Sequence, residues 1–180
     1  MQLELRQVKL EEKEILFNLI EKYDYEFSQY NGCDVNSRGL YNDLDEYNHY
    51  WQPNRKCFAY FIEVDTKLAG FVMVADFPEV KDTEVDFIID EFFVMYKYRR
   101  LGVGKQAFFE TLDRHKGKWQ LCQHPKNIVS ICFWEGVINE YMLGEYELIK
   151  SHPLLEYDDG ILGDAFFFDN SHSESKYTIL

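Results

Sequence analysis

The sequence EFFVMYKYRRLGVGKQAFFETL, residues 91–112, contains three patterns in succession. An apolar run at residues 92–95 is too short for a helix and is typical of a buried strand. A basic and aromatic turn follows at residues 96–100, and glycines stand at positions 102 and 104. From position 103 onward, apolar residues recur at helical spacing, which predicts an amphipathic helix. The segment therefore predicts a strand, a glycine loop and a helix in that order.

This order suits the binding of an anion. The first turn of a helix leaves backbone N–H groups unpaired and carries a partial positive charge, which favours a phosphate. Gly102 and Gly104 lack a Cβ, so the backbone can approach an anion closely. The whole chain has a net charge of −13, yet residues 97–105 contain no acid and carry four cations: Lys97, Arg99, Arg100 and Lys105. This segregation of charge predicts a local anion site in an acidic protein.

Residues 99–104, RRLGVG, resemble the signature of the GNAT superfamily of N-acetyltransferases, Arg/Gln-x-x-Gly-x-Gly/Ala at a strand-to-helix junction. An apolar pair and an aromatic residue precede the signature, as they usually do in that family. The resemblance implies acetyl-CoA as the cofactor, with its pyrophosphate on the amides of the loop. The cofactor-binding residues that it implies are Phe93, Val94, Arg99, Arg100, Leu101, Gly102, Val103, Gly104, Lys105 and Asn127, the last of these at the start of a later helix.

The patterns along the chain agree with the fold that the resemblance implies. That fold is an α/β (α+β) domain with a mixed, mostly antiparallel, twisted sheet of about seven strands and about four flanking helices. We expect one domain over residues 1–180, with strands at 2–8, 57–64, 68–76, 85–94, 119–122, 146–150 and 165–168. We expect helices at 11–27, around 40–47, at 103–117 and at 128–141. The strands before and after the third helix are expected to be parallel.

Composition narrows the possible partners. The chain is 46% hydrophobic and 17% aromatic, which excludes a disordered chain. Its pI near 4.8 argues against nucleic acid or an anionic membrane as the main partner. The chain lacks an apolar run of the roughly 20 residues that span a bilayer, and its first ten residues lack the features of a signal peptide, so we expect a cytoplasmic location. The cysteines have no CxxC or CxxH spacing, so neither a metal site nor a disulfide is expected.

Residues 23–51 are dense in acids and aromatic side chains. In the GNAT architecture, this is the variable region that covers the acceptor site. Carboxylates attract a cation and aromatic faces hold one, so the segment favours an amine acceptor. The alternative for each single residue is ordinary aromatic packing under a solvated acidic face. The acceptor-binding candidates are Asp24, Tyr25, Tyr41, Tyr47 and Trp51.

Two acids interrupt the apolar strand that leads to the glycine loop. Glu91 is our first candidate for the base that deprotonates the amine, because it lies three residues before Val94. The resemblance implies that an amide near Val94 polarises the thioester carbonyl. Asp90 is the alternative base, because strand alternation sends neighbouring side chains to opposite faces.

The proton donor to the leaving sulfur has no clear candidate. Many relatives have a tyrosine seven residues after the asparagine that opens the helix, and this chain has Trp134 there. A tryptophan has no dissociable proton to give. Tyr141 and Cys132 are expected to point elsewhere. Another tyrosine or water therefore protonates the thiolate, or CoA leaves as the thiolate.

The sequence thus predicts an acetyl-CoA-dependent N-acetyltransferase that acts directly on a primary amine. The acceptor is expected to be a cationic small molecule or a peptide. The alternative function is a catalytically weak acyl-CoA-binding regulator or sensor. The oligomeric state, a homodimer included, stays open.

Overall fold

A seven-stranded sheet runs through the computed structural model, which describes residues 1–175. The last five positions of the expected domain lie outside the described residues. The strands are β1 (Leu3–Gln7), β2 (Phe58–Val64), β3 (Lys67–Ala75), β4 (Phe87–Val94), β5 (Lys118–Gln123), β6 (Glu147–Ile149) and β7 (Asp164–Asp169). The helices are α1 (Lys13–Asn31), α2 (Val103–Arg114) and α3 (Ile128–Met142), and three 3₁₀ helices cover Leu10–Glu12, Leu44–Trp51 and Tyr96–Tyr98.

The strand order is β1-β2-β3-β4-β5-β7-β6, and every neighbouring pair is antiparallel except β4 and β5. The expected parallel pair joined through α2 is therefore confirmed, and so is the α+β fold class. One apolar core lies between the sheet and the helices α2 and α3. A second core lies between the other face of the sheet, α1 and the 3₁₀ helix Leu44–Trp51, which takes the place of the expected second helix.

The parallel strands β4 and β5 separate soon after they meet. Residues 87–89 of β4 pair with residues 119–121 of β5, and the pairing ends there. Beyond that point β4 stays paired with β3 and β5 stays paired with β7. We call the gap between residues 90–94 and residues 122–123 the strand cleft. Its β4 edge has no ladder partner on the β5 side.

A β-bulge interrupts β4 beside the strand cleft. Met73 of β3 pairs with Glu91, and its neighbour Val74 pairs with Ile89, so Asp90 is an extra residue on β4. A bulge of this kind disturbs the strict alternation of side chains between the two faces of a sheet. Asp90 and Glu91 interrupt the apolar pattern of the sequence, and the strand is irregular at the same place because of the bulge.

The bulge overturns the expectation that Asp90 and Glu91 point to opposite faces. Ile88 and Phe93 are an odd number of positions apart, yet both lie in the core beside α1. Asp90 accepts a hydrogen bond from the 3₁₀ helix on that side, and Glu91 interacts with α1 on the same side. Simple alternation is wrong here because the extra residue shifts its phase.

Helix α1 is longer than expected and ends at Gly32, whose φ of +71° is left-handed. Within residues 1–175, no helix is long and apolar enough to cross a membrane. All four cysteines are free thiols, and Cys33 and Cys132 are exposed.

Candidate active site

Residues 99–104, which we call the cofactor loop, link the 3₁₀ turn Tyr96–Tyr98 to α2. Arg100 and Gly102 have left-handed backbones, with φ of +59° and +80°. The first bond of the helix runs from the Gln106 N–H to the Gly102 carbonyl at 3.0 Å. The three preceding N–H groups of α2 have no acceptor in the part of the chain that the structure describes. Such a helix start is a ready site for a phosphate.

The two glycines of the loop have different physical roles. A Cβ at Gly102 would meet nothing within 4 Å, so this position faces open space next to the free amides. A Cβ at Gly104 would lie 3.1 Å from the Phe133 ring. Gly104 therefore lets α2 pack closely against α3. The expectation that the backbone of Gly104 also allows the approach of an anion stays a prediction.

Only part of the predicted basic cluster remains available for a ligand. The Arg99 guanidinium pairs with Glu26 of α1 at 2.6 Å, and Lys105 pairs with Glu140 of α3 at 2.7 Å. Arg100 and Lys97 are exposed and form no ion pair among the described residues. The two exposed cations are thus the ones that can approach a bound phosphate.

The side chains of the other residues predicted for the cofactor site have different surroundings. The Phe93 side chain is buried in the core beside α1, and Val103 is fully buried. Leu101 is exposed. Asn127 caps α3, since its side chain accepts a hydrogen bond from the Ser130 N–H at 3.1 Å.

Backbone donors line the β4 edge of the strand cleft. The Met95 N–H donates to the Ala69 carbonyl of β3 at 2.8 Å. Because amides alternate along an antiparallel pair, the N–H groups of Phe92 and Val94 point away from β3, toward the cleft. The Val94 carbonyl accepts from Arg99 Nε at 2.6 Å, so the carbonyl is occupied while its N–H stays free of a ladder partner.

A second site lies on the α1 side of β4, at the bulge. We call it the acidic pocket. Helix α1, the 3₁₀ helix Leu44–Trp51 and β4 each contribute two side chains to it: Tyr23 and Asp24, Tyr47 and Tyr50, and Asp90 and Glu91. None of its three carboxylates forms an ion pair with a basic residue of the described chain. No basic side chain of the described residues therefore offsets the charge that these acids carry when they are ionised.

Burial and mutual repulsion raise the pKa values of the pocket acids. Burial raises the pKa of Glu91 well above its usual value, the Asp90 charge adds to this, and a hydrogen bond from Tyr23 opposes it. Burial also raises the pKa of Asp90, against the hydrogen bond that the Tyr50 hydroxyl donates. For Asp24, burial and the nearby Glu21 raise the pKa to about 7.

The tyrosines around these acids keep their protons. Burial raises the pKa of Tyr47, and the charges of Glu91, Asp24 and Asp90 raise it further. Among the described residues, the Tyr47 hydroxyl has no hydrogen-bond partner. It can therefore donate to a ligand.

Tyr157 completes one side of the acidic pocket from the long connection between β6 and β7. Its ring packs against His124 with centroids 4.7 Å apart and lies 6.5 Å from the Phe27 ring of α1. Burial and the charges around it, Glu91 included, raise its pKa. Sequence analysis missed Tyr157, Tyr50 and Tyr23 as site residues. The local sequence around Tyr157 has no motif that would connect it to β4.

Three of the predicted acceptor residues lie outside the acidic pocket. Tyr25 is 71% exposed on α1. The Tyr41 hydroxyl donates to the Ser28 hydroxyl at 3.2 Å, and the Trp51 indole N–H donates to the Val8 carbonyl at 3.3 Å. These hydrogen bonds connect the segment of residues 41–51 to α1 and to the residue that follows β1.

The one tyrosine of α3, Tyr141, is engaged in a hydrogen bond to another helix. Trp134 is buried and packs edge-on against Phe92 and Phe108, at 5.1 Å and 5.3 Å between centroids. The Tyr141 hydroxyl donates to Asp113 at 2.6 Å, and Cys132 is exposed. These positions agree with the expectation that neither Tyr141 nor Cys132 takes the place of the missing tyrosine.

A glycine loop at a helix start suits a phosphate, and the cleft between the two separating parallel strands beside it suits an extended group. A model of the acetyltransferase (GNAT) family matches residues 20–136. The chain therefore belongs to the GNAT acetyltransferase family, which uses acetyl-CoA. The cofactor loop, the open side of Gly102 and the free amides of β4 fit this cofactor.

Solved structures with the same fold have low sequence identity to the chain. An acetyltransferase from Thermus thermophilus is 10% identical with a TM-score of 0.66, over 94% of this chain and 97% of that one. Spermidine N-acetyltransferase from Vibrio cholerae, in complex with CoA and spermine, is 14% identical with a TM-score of 0.59, over 92% and 93%. The ribosomal-protein-S18-alanine N-acetyltransferase of Escherichia coli is 11% identical with a TM-score of 0.56, over 99% and 100%. No curated protein matches the chain by sequence.

Proposed function

We propose that the protein transfers an acetyl group from acetyl-CoA directly to a primary amine of a cationic small molecule or peptide. The observation that carries the proposal is the acidic pocket. Three carboxylates without a basic partner converge on β4, on the strand that also presents free amides to the cleft. An ammonium ion is the complement of such a site.

The raised pKa values support a cationic acceptor. Each pocket carboxylate holds its proton more tightly because it is buried, and neighbouring negative charges add to this for Asp24 and Glu91. A bound ammonium ion would favour the ionised forms, so amine binding would release protons. The affinity for the amine should then rise with pH from about 6 to about 8, the range that brackets the pKa of about 7 of Asp24. Aromatic rings beside the carboxylates add favourable cation–π contacts.

Glu91 is the proposed general base. It belongs to the acidic pocket, directly follows the extra residue of the bulge, and stands three residues before Val94 along β4. A carboxylate whose pKa is raised accepts a proton more readily once it is ionised. Asp90 is the weaker candidate, because one of its oxygens accepts a hydrogen bond from the Tyr50 hydroxyl.

Acetyl-CoA supplies the acetyl group as a thioester. The Val94 N–H would donate to the thioester carbonyl oxygen and stabilise the charge that develops there. Glu91 would take the proton from the amine nitrogen. Trp134 has no proton to offer the leaving sulfur, so water protonates it in this proposal.

Thiol release from acetyl-CoA tests the proposal across a panel of acceptors at low and high salt. The panel should contain spermidine, spermine, a peptide with a free N-terminus, a lysine peptide, a neutral amine and glutamate. Spermidine heads the panel because one of the similar structures is a spermidine N-acetyltransferase. We expect turnover with the cationic amines, and we expect salt to reduce it. A preference for the neutral or acidic acceptors would refute a cationic acceptor.

The same panel separates an enzyme from a regulator. Trp134, at the position where many relatives have a tyrosine, is the observation that favours the second function, a catalytically weak acyl-CoA-binding sensor. Tight binding of acetyl-CoA without turnover of any amine would support the sensor.

A further inference from the structure

The last residue of β5, Gln123, has a buried side-chain amide without a partner. Gln123 is 3% exposed, and neither its Nε2 nor its Oε1 atom makes a hydrogen bond in the described part of the chain. A carboxamide offers two donor hydrogens and two acceptor lone pairs. Burying it without partners is costly, so proteins rarely leave such a group unsatisfied. Both of its polar atoms are free, so the conclusion is the same whichever way the amide is turned.

Other buried amides of this chain are satisfied. Gln120, on the same strand, is fully buried, and its Oε1 accepts from the Glu79 and Val80 N–H groups at 2.7 and 2.9 Å. Its Nε2 donates to the Thr83 hydroxyl at 3.0 Å. Asn170 is fully buried as well, and its side chain makes four hydrogen bonds. Among the buried side-chain amides of residues 1–175, that of Gln123 is thus the one without a partner, while single buried atoms of His49 and Glu110 are also unpaired.

The separation of β4 from β5 explains why Gln123 has no partner. The β4–β5 ladder ends at Ile89 and Leu121, and Gln123 is the next residue of β5 on the same face as Leu121. On its other side its backbone pairs with Asp164 of β7. Gln123 thus lies where the two strands separate, across the cleft from the free amides of β4.

We infer that the Gln123 side chain hydrogen-bonds an amide of the pantetheine arm of CoA in the strand cleft. The inference rests on the cofactor site of the proposed function. The arm contains two secondary amides, each with one N–H donor and one carbonyl acceptor. The Gln123 carboxamide presents the complementary acceptor and donor. In this role Gln123 is a positioning residue, because it holds the arm between β4 and β5 and does not touch the reacting atoms.

Calorimetry with two probes tests the inference without any turnover. CoA contains the arm, whereas adenosine 3′-phosphate 5′-diphosphate keeps the pyrophosphate and lacks the arm. In Gln123→Leu we expect the affinity for CoA to fall about tenfold and the affinity for the arm-less nucleotide to stay unchanged. The melting temperature of the ligand-free variant should stay level or rise, because the substitution removes an unsatisfied buried group.

Gln120→Leu is the matched control, because it removes a satisfied buried amide from the same strand. It should lower the melting temperature and leave the ratio of the two affinities at the wild-type value. Gln123→Met, which has nearly the same length as glutamine, repeats the test if the leucine variant does not fold.

Three results would overturn the inference: an unchanged CoA affinity, an equal loss for both probes, or a fall in the melting temperature like that of Gln120→Leu. The last result would mean that bound water satisfies the amide in a purely structural role. These readouts are independent of the amine panel. An inactive wild type that binds CoA refutes the proposed enzyme and leaves the role of Gln123 intact.

Discussion

The acidic pocket lies at β4, and the cofactor loop follows the turn after that strand. The two sites are built in opposite ways. The loop uses backbone N–H groups and exposed cations within one short stretch of chain. The pocket uses side-chain carboxylates from α1, a 3₁₀ helix and β4. Arg55 and Asp76, by contrast, form an ion pair with each other. Two sites of opposite charge suit a phosphate-bearing donor and a cationic acceptor.

The two sites should respond differently to substitution. A site made of backbone is damaged mainly where a new side chain would block it, whereas a site made of side chains loses function when a charge is removed. Substitutions in the pocket should therefore change turnover and amine affinity. Substitutions in the loop should change CoA affinity.

The largest effect is expected for Glu91→Gln. Removal of the base should lower kcat by about 10²- to 10⁴-fold, while CoA affinity by calorimetry stays at the wild-type value. Since the base must be ionised, the wild-type rate should fall as pH drops below the raised pKa of Glu91, and this acidic limb should disappear in the variant. Asp90→Asn is the control. A larger loss in Asp90→Asn than in Glu91→Gln would reassign the base to Asp90.

The loop should respond to Gly102→Glu with a loss of CoA affinity of about 100-fold, measured by calorimetry. The new side chain would enter the open space beside the helix start, its charge would repel a phosphate, and the φ of +80° would strain it. Gly39→Glu is a matched control, because Gly39 has a φ of +74° and an equally open surrounding. Equal losses of CoA affinity in the two variants would contradict the proposed position of the pyrophosphate.

Asp24→Asn should raise the KM for a cationic amine about tenfold and weaken the salt dependence of the rate, since one attractive charge is lost. The substituted amide can still accept the hydrogen bond from Asn42. Steady-state kinetics at two salt concentrations would measure both effects. The KM for a neutral amine should stay constant, and a parallel rise would show that the substitution distorts the pocket.

The same variant gives a stability test. The pKa of Asp24 is raised from 3.8 to about 7, so its contribution to stability is complete below pH 3.8 and is lost as pH rises through 7. At pH 8 the buried carboxylate destabilises the fold, and Asp24→Asn should increase the free energy of unfolding by at most about 4 kcal/mol. Urea denaturation at pH 8 and pH 4 would measure the difference. A gain of equal size at both pH values would rule out this electrostatic cause.

The smallest effect is expected for the exposed cation of the loop. Arg100→Ala should weaken CoA binding about threefold at low salt, and less at high salt, because the charge is exposed and screened. Arg99→Ala should instead reduce thermal stability, since it breaks the pair with Glu26 and the bond to the Val94 carbonyl. A larger loss of CoA affinity in Arg99→Ala than in Arg100→Ala would mean that Arg99 leaves Glu26 to bind the phosphate.

Much of the fold could be predicted from the sequence because its signals are local. The strand, glycine loop and helix at residues 91–112 depend on neighbouring residues, and so do the hairpin of β2 and β3 and the cap that Asn127 gives α3. The family match to residues 20–136 and the parallel pairing of β4 and β5 agree with those patterns. The sequence showed that the two acids interrupt the apolar pattern of β4. It did not show that both side chains lie on the same face of the sheet.

The sequence by itself determined the cofactor loop, since six consecutive residues set its backbone shape and its charge. Only the tertiary structure decided which charges remain free. Arg99 is paired by Glu26 from another helix, Asp90 and Glu91 share a face because β3 pairs around the bulge, and Gln123 has no partner because β4 moves away from β5. Each of these outcomes depends on contacts between distant segments, and side-chain type and local spacing carry no information about such contacts.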